Sequence, residues 1–228
     1  MKQHSFSLKG RRCGIMYDKE PEILLLQPGD DSDLKGLEEE FELIGGTAQR
    51  SAALAYFRID DWFSELSPWD APPVFGKQAF GHGAGETLRF ITEDFLPELS
   101  AKLGAKENIP RILGGYSLAG LFALWAGYET DAFYAVAAAS PSVWFEGWTE
   151  YVSGRRFKAR AAYLSLGDRE EKTKNRTMAR VGERIRAQYA LFKTQIGENN
   201  CFLEWNEGGH FVEPARRTAK AFIWCLEL

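Results

Sequence analysis

The sequence predicts an α/β protein with a largely parallel central sheet and helices on both faces. Three observations carry that reading. Short apolar runs alternate with segments whose apolar residues recur at helical spacing along most of the 228 residues. One run, Ile23, Leu24, Leu25 and Leu26, is apolar without alternation, as a strand covered on both faces requires. The stretch 110–120 then reads as a strand, a tight glycine-bounded turn and the start of a helix, with one serine at the apex. No internal repeat or linker-like break interrupts the chain, so residues 1–228 are read as one domain, long enough to bury a sizeable core.

Taken in order, residues 4–9 and 11–17 read as two short strands of a hairpin meeting at Gly10. Residues 21–27 form the next strand, which stops at Pro28, Gly29, Asp30 and Asp31. Leu34, Leu37, Phe41 and Ile44 recur at helical spacing, with Asp31, Ser32 and Asp33 as candidate caps and Gly45 and Gly46 as the stop. Residues 51–58 return to strand character. The segment 59–85 carries Trp62, Phe63, Trp69, several prolines and a glycine cluster; a loop this long inside a compact fold is usually functional. Residues 86–103 resume a helix in which Pro97 predicts a kink or a break. Beyond the serine turn and its helix, residues 133–139 and 161–166 are strands, separated by a short aromatic stretch at 144–151. An amphipathic helix over 173–193, a strand over 201–205 and a closing helix over 212–225 complete the chain.

Composition excludes several classes. A net charge of −4 gives no electrostatic reason to expect nucleic acid or an anionic membrane surface as partner. No run approaches the roughly 18 apolar residues of a spanning helix. The first twelve residues are polar and charged, without the apolar core of a signal peptide. The three cysteines, Cys13, Cys201 and Cys225, are widely spaced and odd in number, neither a metal pattern nor a disulfide framework. Together these features predict a cytoplasmic protein with buried free thiols. Oligomeric state is not encoded in any of them.

The chemistry centres on Gly115, Tyr116, Ser117, Leu118, Ala119 and Gly120. A sharp strand-to-helix turn lifts a serine hydroxyl clear of the sheet and aims a helix N-terminus at the negative charge that develops there. The pattern is G-x-S-x-G with Ala119 in place of the last glycine. A serine needs a base, and a histidine base works better when a carboxylate orients it. Of the three histidines, His4 lies in the first strand and His82 in a glycine cluster, whereas His210 follows the last strand, beside Gly208 and Gly209. The carboxylate loop between serine and histidine offers Asp168 and Glu170. Serine, acid, histidine is the chain order of the α/β-hydrolase fold, and all three fall just beyond strand ends, where open α/β sheets place their sites. The oxyanion donors expected by that topology are the N–H of Leu118 and that of Gly29 or Asp30, since Pro28 has none. Trp62, Phe63, Trp69 and Trp144 can either wall a substrate pocket or fill the core. Arg58 can meet an anionic substrate group or pair with Asp60 or Asp61.

These residues resemble a family. The serine turn, Ser140-Pro141-Ser142-Val143-Trp144, Leu166-Gly167-Asp168-Arg169-Glu170 and Gly209-His210-Phe211 are similar to motifs of the putative esterase family of α/β hydrolases. That group includes S-formylglutathione hydrolases (esterase D), feruloyl and acetyl esterases, siderophore trilactone esterases and mycolyltransferases. The resemblance runs from about Ile23 onward and is strongest after Arg111; residues 62–69 look like the aromatic loop that some members place beside the pocket. It implies an acid loop of the form G-x-x-[DE], which favours Glu170 over Asp168, although some siderophore-esterase relatives work with a serine–histidine dyad. The chain lacks the secretion signal of polysaccharide-acting relatives and is shorter than most, with little or no room for a cap domain. The expectation is a serine hydrolase that cleaves a small carboxylic ester or thioester through an acyl-enzyme on Ser117, without metal or organic cofactor. Acyl transfer to an alcohol on the same acyl-enzyme, or a hydrolase fold reduced to a binding module, are the alternatives.

Overall fold

A computed structural model describes residues 1–104 and 109–228. Its centre is an eight-stranded sheet: β1 (Lys2–Leu8), β2 (Arg11–Tyr17), β3 (Ile23–Gly29), β4 (Ala52–Arg58), β5 (Arg111–Tyr116), β6 (Ala135–Ala139), β7 (Ala161–Gly167) and β8 (Cys201–Asn206). The spatial order is β1-β2-β4-β3-β5-β6-β7-β8. β1 and β2 form an antiparallel hairpin, and β2 joins β4 antiparallel; every pair from β4 to β8 is parallel. Lys9 and Gly10 both have positive φ, the backbone that a two-residue hairpin turn requires.

Side chains of the central strands go to opposite faces by turns, and both faces are covered. On β4, Ala53, Ala55 and Phe57 point into one core and Leu54 and Tyr56 into the other. The second core is closed by α1 (Leu37–Thr47) and by the last helix. On the first face lie α2 (Trp62–Glu65), α3 (Ala84–Arg89), α4 (Leu96–Leu103), α5 (Leu118–Glu129), α6 (Trp148–Val152) and α7 (Val181–Gln195); α8 (Pro214–Leu226) returns to the second. α5 is buried from Leu118 to Tyr128, which explains its apolar character all round rather than along one stripe.

The structure moves several expected boundaries. β3 runs through Pro28 and Gly29 rather than stopping at Pro28. Gly29 O accepts from Ile59 N at 2.9 Å on the β4 side, so Pro28 faces the β5 side, where pairing has already ended at Leu26 and no donor is missed. Gly45 and Gly46 lie inside α1, which ends at Thr47; a 3-10 turn (Asp33–Gly36) precedes it. Pro97 neither breaks nor ends its helix. A π-helical turn (Phe90–Phe95) joins α3 to α4, and the Leu96 N–H reaches back to Ile91 O, so the wider turn absorbs the proline. The helix expected over 173–193 begins with α7 at Val181, after a 3-10 turn (Met178–Arg180).

Two features of the packing give tests. Gly115 lies so close to α5 that a Cβ there would sit 2.7 Å from Ala119 Cβ and 2.8 Å from Ala119 C. The alanine in place of the motif's last glycine fits because Gly115 has no side chain. Gly115→Ala should therefore cost about 1–3 kcal/mol, a loss of several degrees in a thermal melt.

Glu40, on α1, is buried against Gln27 of β3, whose Nε2 donates to Glu40 Oε2 at 3.3 Å. Burial pushes the Glu40 carboxyl up to about 8. Glu40 Oε1 and Gln27 Oε1 have no other partner, and a proton retained on Glu40 is what such a pair would share. From about pH 4.3, where an unfolded glutamate ionises, the unfolded chain has released a proton that the folded chain keeps up to about 8. Stability from this group must fall as pH rises through that window, by up to about 1.4 kcal/mol per unit. Glu40→Gln should raise the melting temperature at pH 7.5 and flatten the decline between pH 5 and 8, measured by thermal melts across that range.

Candidate active site

Ser117 sits at the junction of β5 and α5 with φ 56° and ψ −118°, a conformation that non-glycine residues adopt only when their surroundings impose it. Its N–H donates to Ala139 O at 3.1 Å, while its carbonyl accepts from Leu121 N at 3.1 Å and Ser142 N at 3.0 Å. The backbone is therefore tied to β6, to its own helix and to the loop after β6. Those ties hold the hydroxyl at the carboxyl edge of the sheet.

Ser117 Oγ lies 3.0 Å from His210 Nε2, and His210 Nδ1 lies 2.7 Å from Glu170 Oε2. With Nδ1–H donating to the carboxylate, Nε2 is left as acceptor for the serine hydroxyl. The second oxygen of Glu170 accepts from Gly167 N at 2.7 Å, Ser140 Oγ at 2.8 Å and Arg217 Nη1 at 3.1 Å. The Glu170 side chain is 5% exposed. Asp168, the alternative acid, is elsewhere: it accepts the Gly208 N–H at 2.8 Å, bracing the loop that carries His210, and has no hydrogen bond to the imidazole. His82 pairs with Asp70 on the surface, and that hydrogen bond and charge raise it above the usual histidine range; His4 stacks on Tyr17.

The expected oxyanion donors divide. Leu118 opens α5, so its N–H has no carbonyl one turn back within the helix. The Asp30 N–H instead donates to Asp33 Oδ2 at 3.1 Å, and Asp30 Oδ1 in turn accepts from the Ser32 and Asp33 N–H groups. Gly29 is inside β3, opposite Arg58. The turn after β3 thus satisfies itself rather than presenting Asp30 N–H toward the serine.

The expected substrate wall is also revised. Trp144 is 5% exposed and packs edge-on against Phe75 and Phe80. Trp69 donates through Nε1 to Glu146 O at 2.8 Å and packs on Phe145 and Tyr151. Phe63 meets Phe75 and Phe80, and Trp62 is half-buried against the same core. These rings fasten segment 59–85 to the loop after β6, so packing accounts for them. Arg58 is taken up by Asp31, at 3.1 and 3.0 Å, and by Asp60, which leaves its charge committed within the protein.

Sequence reasoning missed five residues around the serine. Ser142 Oγ is 3.4 Å from Ser117 Oγ, and Ser140 holds Glu170; both lie in a motif noted for its resemblance but given no role. Tyr116 OH donates to His210 O at 2.5 Å. Arg217 is 2% exposed, and its signal was its phase: it shares the apolar face of α8 with Ala221 and Cys225. Phe211 is 90% exposed, edge-on to the His210 ring. Among the described residues no group of three or more His, Cys, Asp or Glu side chains could hold a metal ion, and no helix is long and apolar enough to cross a membrane.

Comparison with known proteins bears on the fold and the family. A curated siderophore enterobactin esterase from Emericella nidulans is 34% identical over 115 residues, covering 46% of this chain and 38% of that protein. The match thus spans well under half the length of that relative. Among solved structures, the siderophore hydrolase EstA from Aspergillus nidulans superposes with a TM-score of 0.75 at 16% identity, over 99% of this chain and 94% of that one. An IroE-like serine hydrolase from Shewanella oneidensis gives 0.81 at 16% identity, over 99% and 80%. At such identities these likenesses establish the fold, an α/β sheet of the hydrolase type. The family model described as "Putative esterase" matches residues 41–199, more than half of the sequence, and the chain belongs to that family.

Proposed function

We propose that this protein is a serine hydrolase that cleaves a small carboxylic ester or thioester through an acyl-enzyme on Ser117. The observation that carries the reading is the continuous hydrogen-bond chain from Ser117 through His210 to Glu170, at 3.0 and 2.7 Å, on a strained strand-to-helix turn. Family membership and the esterases among its relatives support the same class.

In this reading Glu170 holds the imidazole with Nδ1 protonated and Nε2 toward the serine. Nε2 takes the hydroxyl proton as Oγ attacks the carbonyl carbon. The oxyanion forms at the N-terminus of α5, against the Leu118 N–H, where the helix dipole favours negative charge. The imidazolium then protonates the departing alcohol or thiol, and water, deprotonated by the same Nε2, releases the acid. Each step is complete without a metal or organic cofactor.

For substrate, the names of the relatives suggest a siderophore ester, and the open Phe211 face beside His210 suits an apolar or aromatic portion of it. Three buried cysteines without disulfide partners fit a reducing, cytoplasmic setting.

Turnover of short p-nitrophenyl esters tests the assignment. Ser117→Ala should lose roughly 10⁶-fold in kcat with an unchanged thermal melt. Glu170→Gln should lose roughly 10³- to 10⁴-fold, whereas Asp168→Asn should keep most of the activity. Equal losses in the two carboxylate variants would contradict the division of roles, and retained activity in Ser117→Ala would contradict the nucleophile.

A further inference from the structure

We propose that Arg217 is a positioning residue for the reaction, acting through Glu170 to set the orientation of His210; this rests on the reading of Ser117, His210 and Glu170 given above. Arg217 comes from α8, is 2% exposed, and spends its guanidinium on four partners that belong to the site. Nη1 lies 3.1 Å from Glu170 Oε1, 3.2 Å from Tyr116 OH and 3.3 Å from Ser140 Oγ, and Nη2 donates to Glu207 O at 2.8 Å.

Each partner constrains a different part of the chain Ser117–His210–Glu170. Glu170 Oε1 is fixed by Arg217, Ser140 and the Gly167 N–H, so the other oxygen has one direction left, toward His210 Nδ1. Glu207 begins the loop whose fourth residue is His210, so the bond to its carbonyl ties α8 to the base of that loop. Tyr116, next to Ser117 in sequence, donates to the His210 carbonyl, and burial holds its phenol protonated as that bond needs. One guanidinium therefore references the acid, the histidine loop and the residue before the nucleophile to a common point.

A purely structural arginine would serve equally well with any carboxylate orientation. A buried ion pair is in itself weak ground for a stability role, because desolvation offsets much of its attraction. What the fork supplies is direction: two nitrogens in a rigid plane aimed at one carboxylate oxygen and one carbonyl. A lysine in its place keeps the charge beside Glu170 but not both contacts.

The test reads the resting protein as well as turnover. With only three histidines in the chain, the hydrogen-bonded Nδ1–H of His210 can be followed by proton NMR, identified by its absence in His210→Gln. Arg217→Gln removes the charge and one arm of the fork. It should lose this far-downfield signal and roughly tenfold to hundredfold in kcat, with KM for a p-nitrophenyl ester within about twofold. Arg217→Lys, which keeps the charge but only one of the two contacts, should show a weakened signal and a smaller loss of kcat than Arg217→Gln. A folded Arg217→Gln protein with the wild-type signal and kcat would overturn the proposal. Should that variant not fold, a folded Arg217→Lys protein with the wild-type signal and kcat would overturn it as well, since a lysine cannot make both contacts of the fork. Because the signal needs no ester, its loss in Arg217→Gln with no esterase activity in the wild type would sustain the positioning role and sink the hydrolase reading instead.

Discussion

The structure of the site depends on one buried carboxylate. Glu170 accepts hydrogen bonds from the end of β7, from the loop after β6, from α8 and from the loop after β8, so four separate elements converge on two oxygen atoms. An ionised carboxyl out of contact with water is tolerable only when every lone pair is served, and here a cation is among the donors. The convergence fixes where His210 stands relative to Ser117, which no single element of the sheet could do.

The second constraint is backbone strain. Among the described residues four non-glycine positions have positive φ, and three of them frame the site: Ser117 itself, Ser140 on Glu170, and Glu213 just beyond His210. Conformations of this kind cost on the order of 1–3 kcal/mol each and persist only where the surroundings over-determine them. At Ser117 the surroundings are the ties to Ala139, Leu121 and Ser142, and the close approach of Gly115 to Ala119. The helix α5, buried from Leu118 to Tyr128 behind the turn, is what the strain is held against.

Much of this was legible in the sequence, because it rests on local pattern. The apolar strand before Ser117, the small residues flanking it and the single histidine after the last strand each follow from what a strand-to-helix turn and a proton acceptor require. Glu170 was separable from Asp168 only by the resemblance to a family, since three residues of loop place either carboxylate near the same edge. Tertiary placement decided it: Asp168 serves a backbone N–H of the histidine loop. Long-range polar partners were not legible. Arg217 lies 47 residues from Glu170 and next to an exposed Arg216, so charge alone suggested solvent; only its phase on α8 pointed inward. The aromatic residues of segment 59–85 could be read either way, because rings that fill a core and rings that line a pocket have the same composition. The oxyanion turn was misjudged for a similar reason: the aspartates after Gly29 hydrogen-bond their own backbone, as short acidic side chains in turns commonly do.

The central claim is that an acyl group is carried on Ser117. It is tested most directly by mixing the protein with an activated ester, quenching in acid within milliseconds, and locating any mass increase by peptide mass spectrometry. The account predicts an adduct of the acyl mass on the peptide holding Ser117, forming before steady state and disappearing as substrate is exhausted. An adduct on a different residue, Ser142 included, or turnover with no adduct at any quench time, would contradict it.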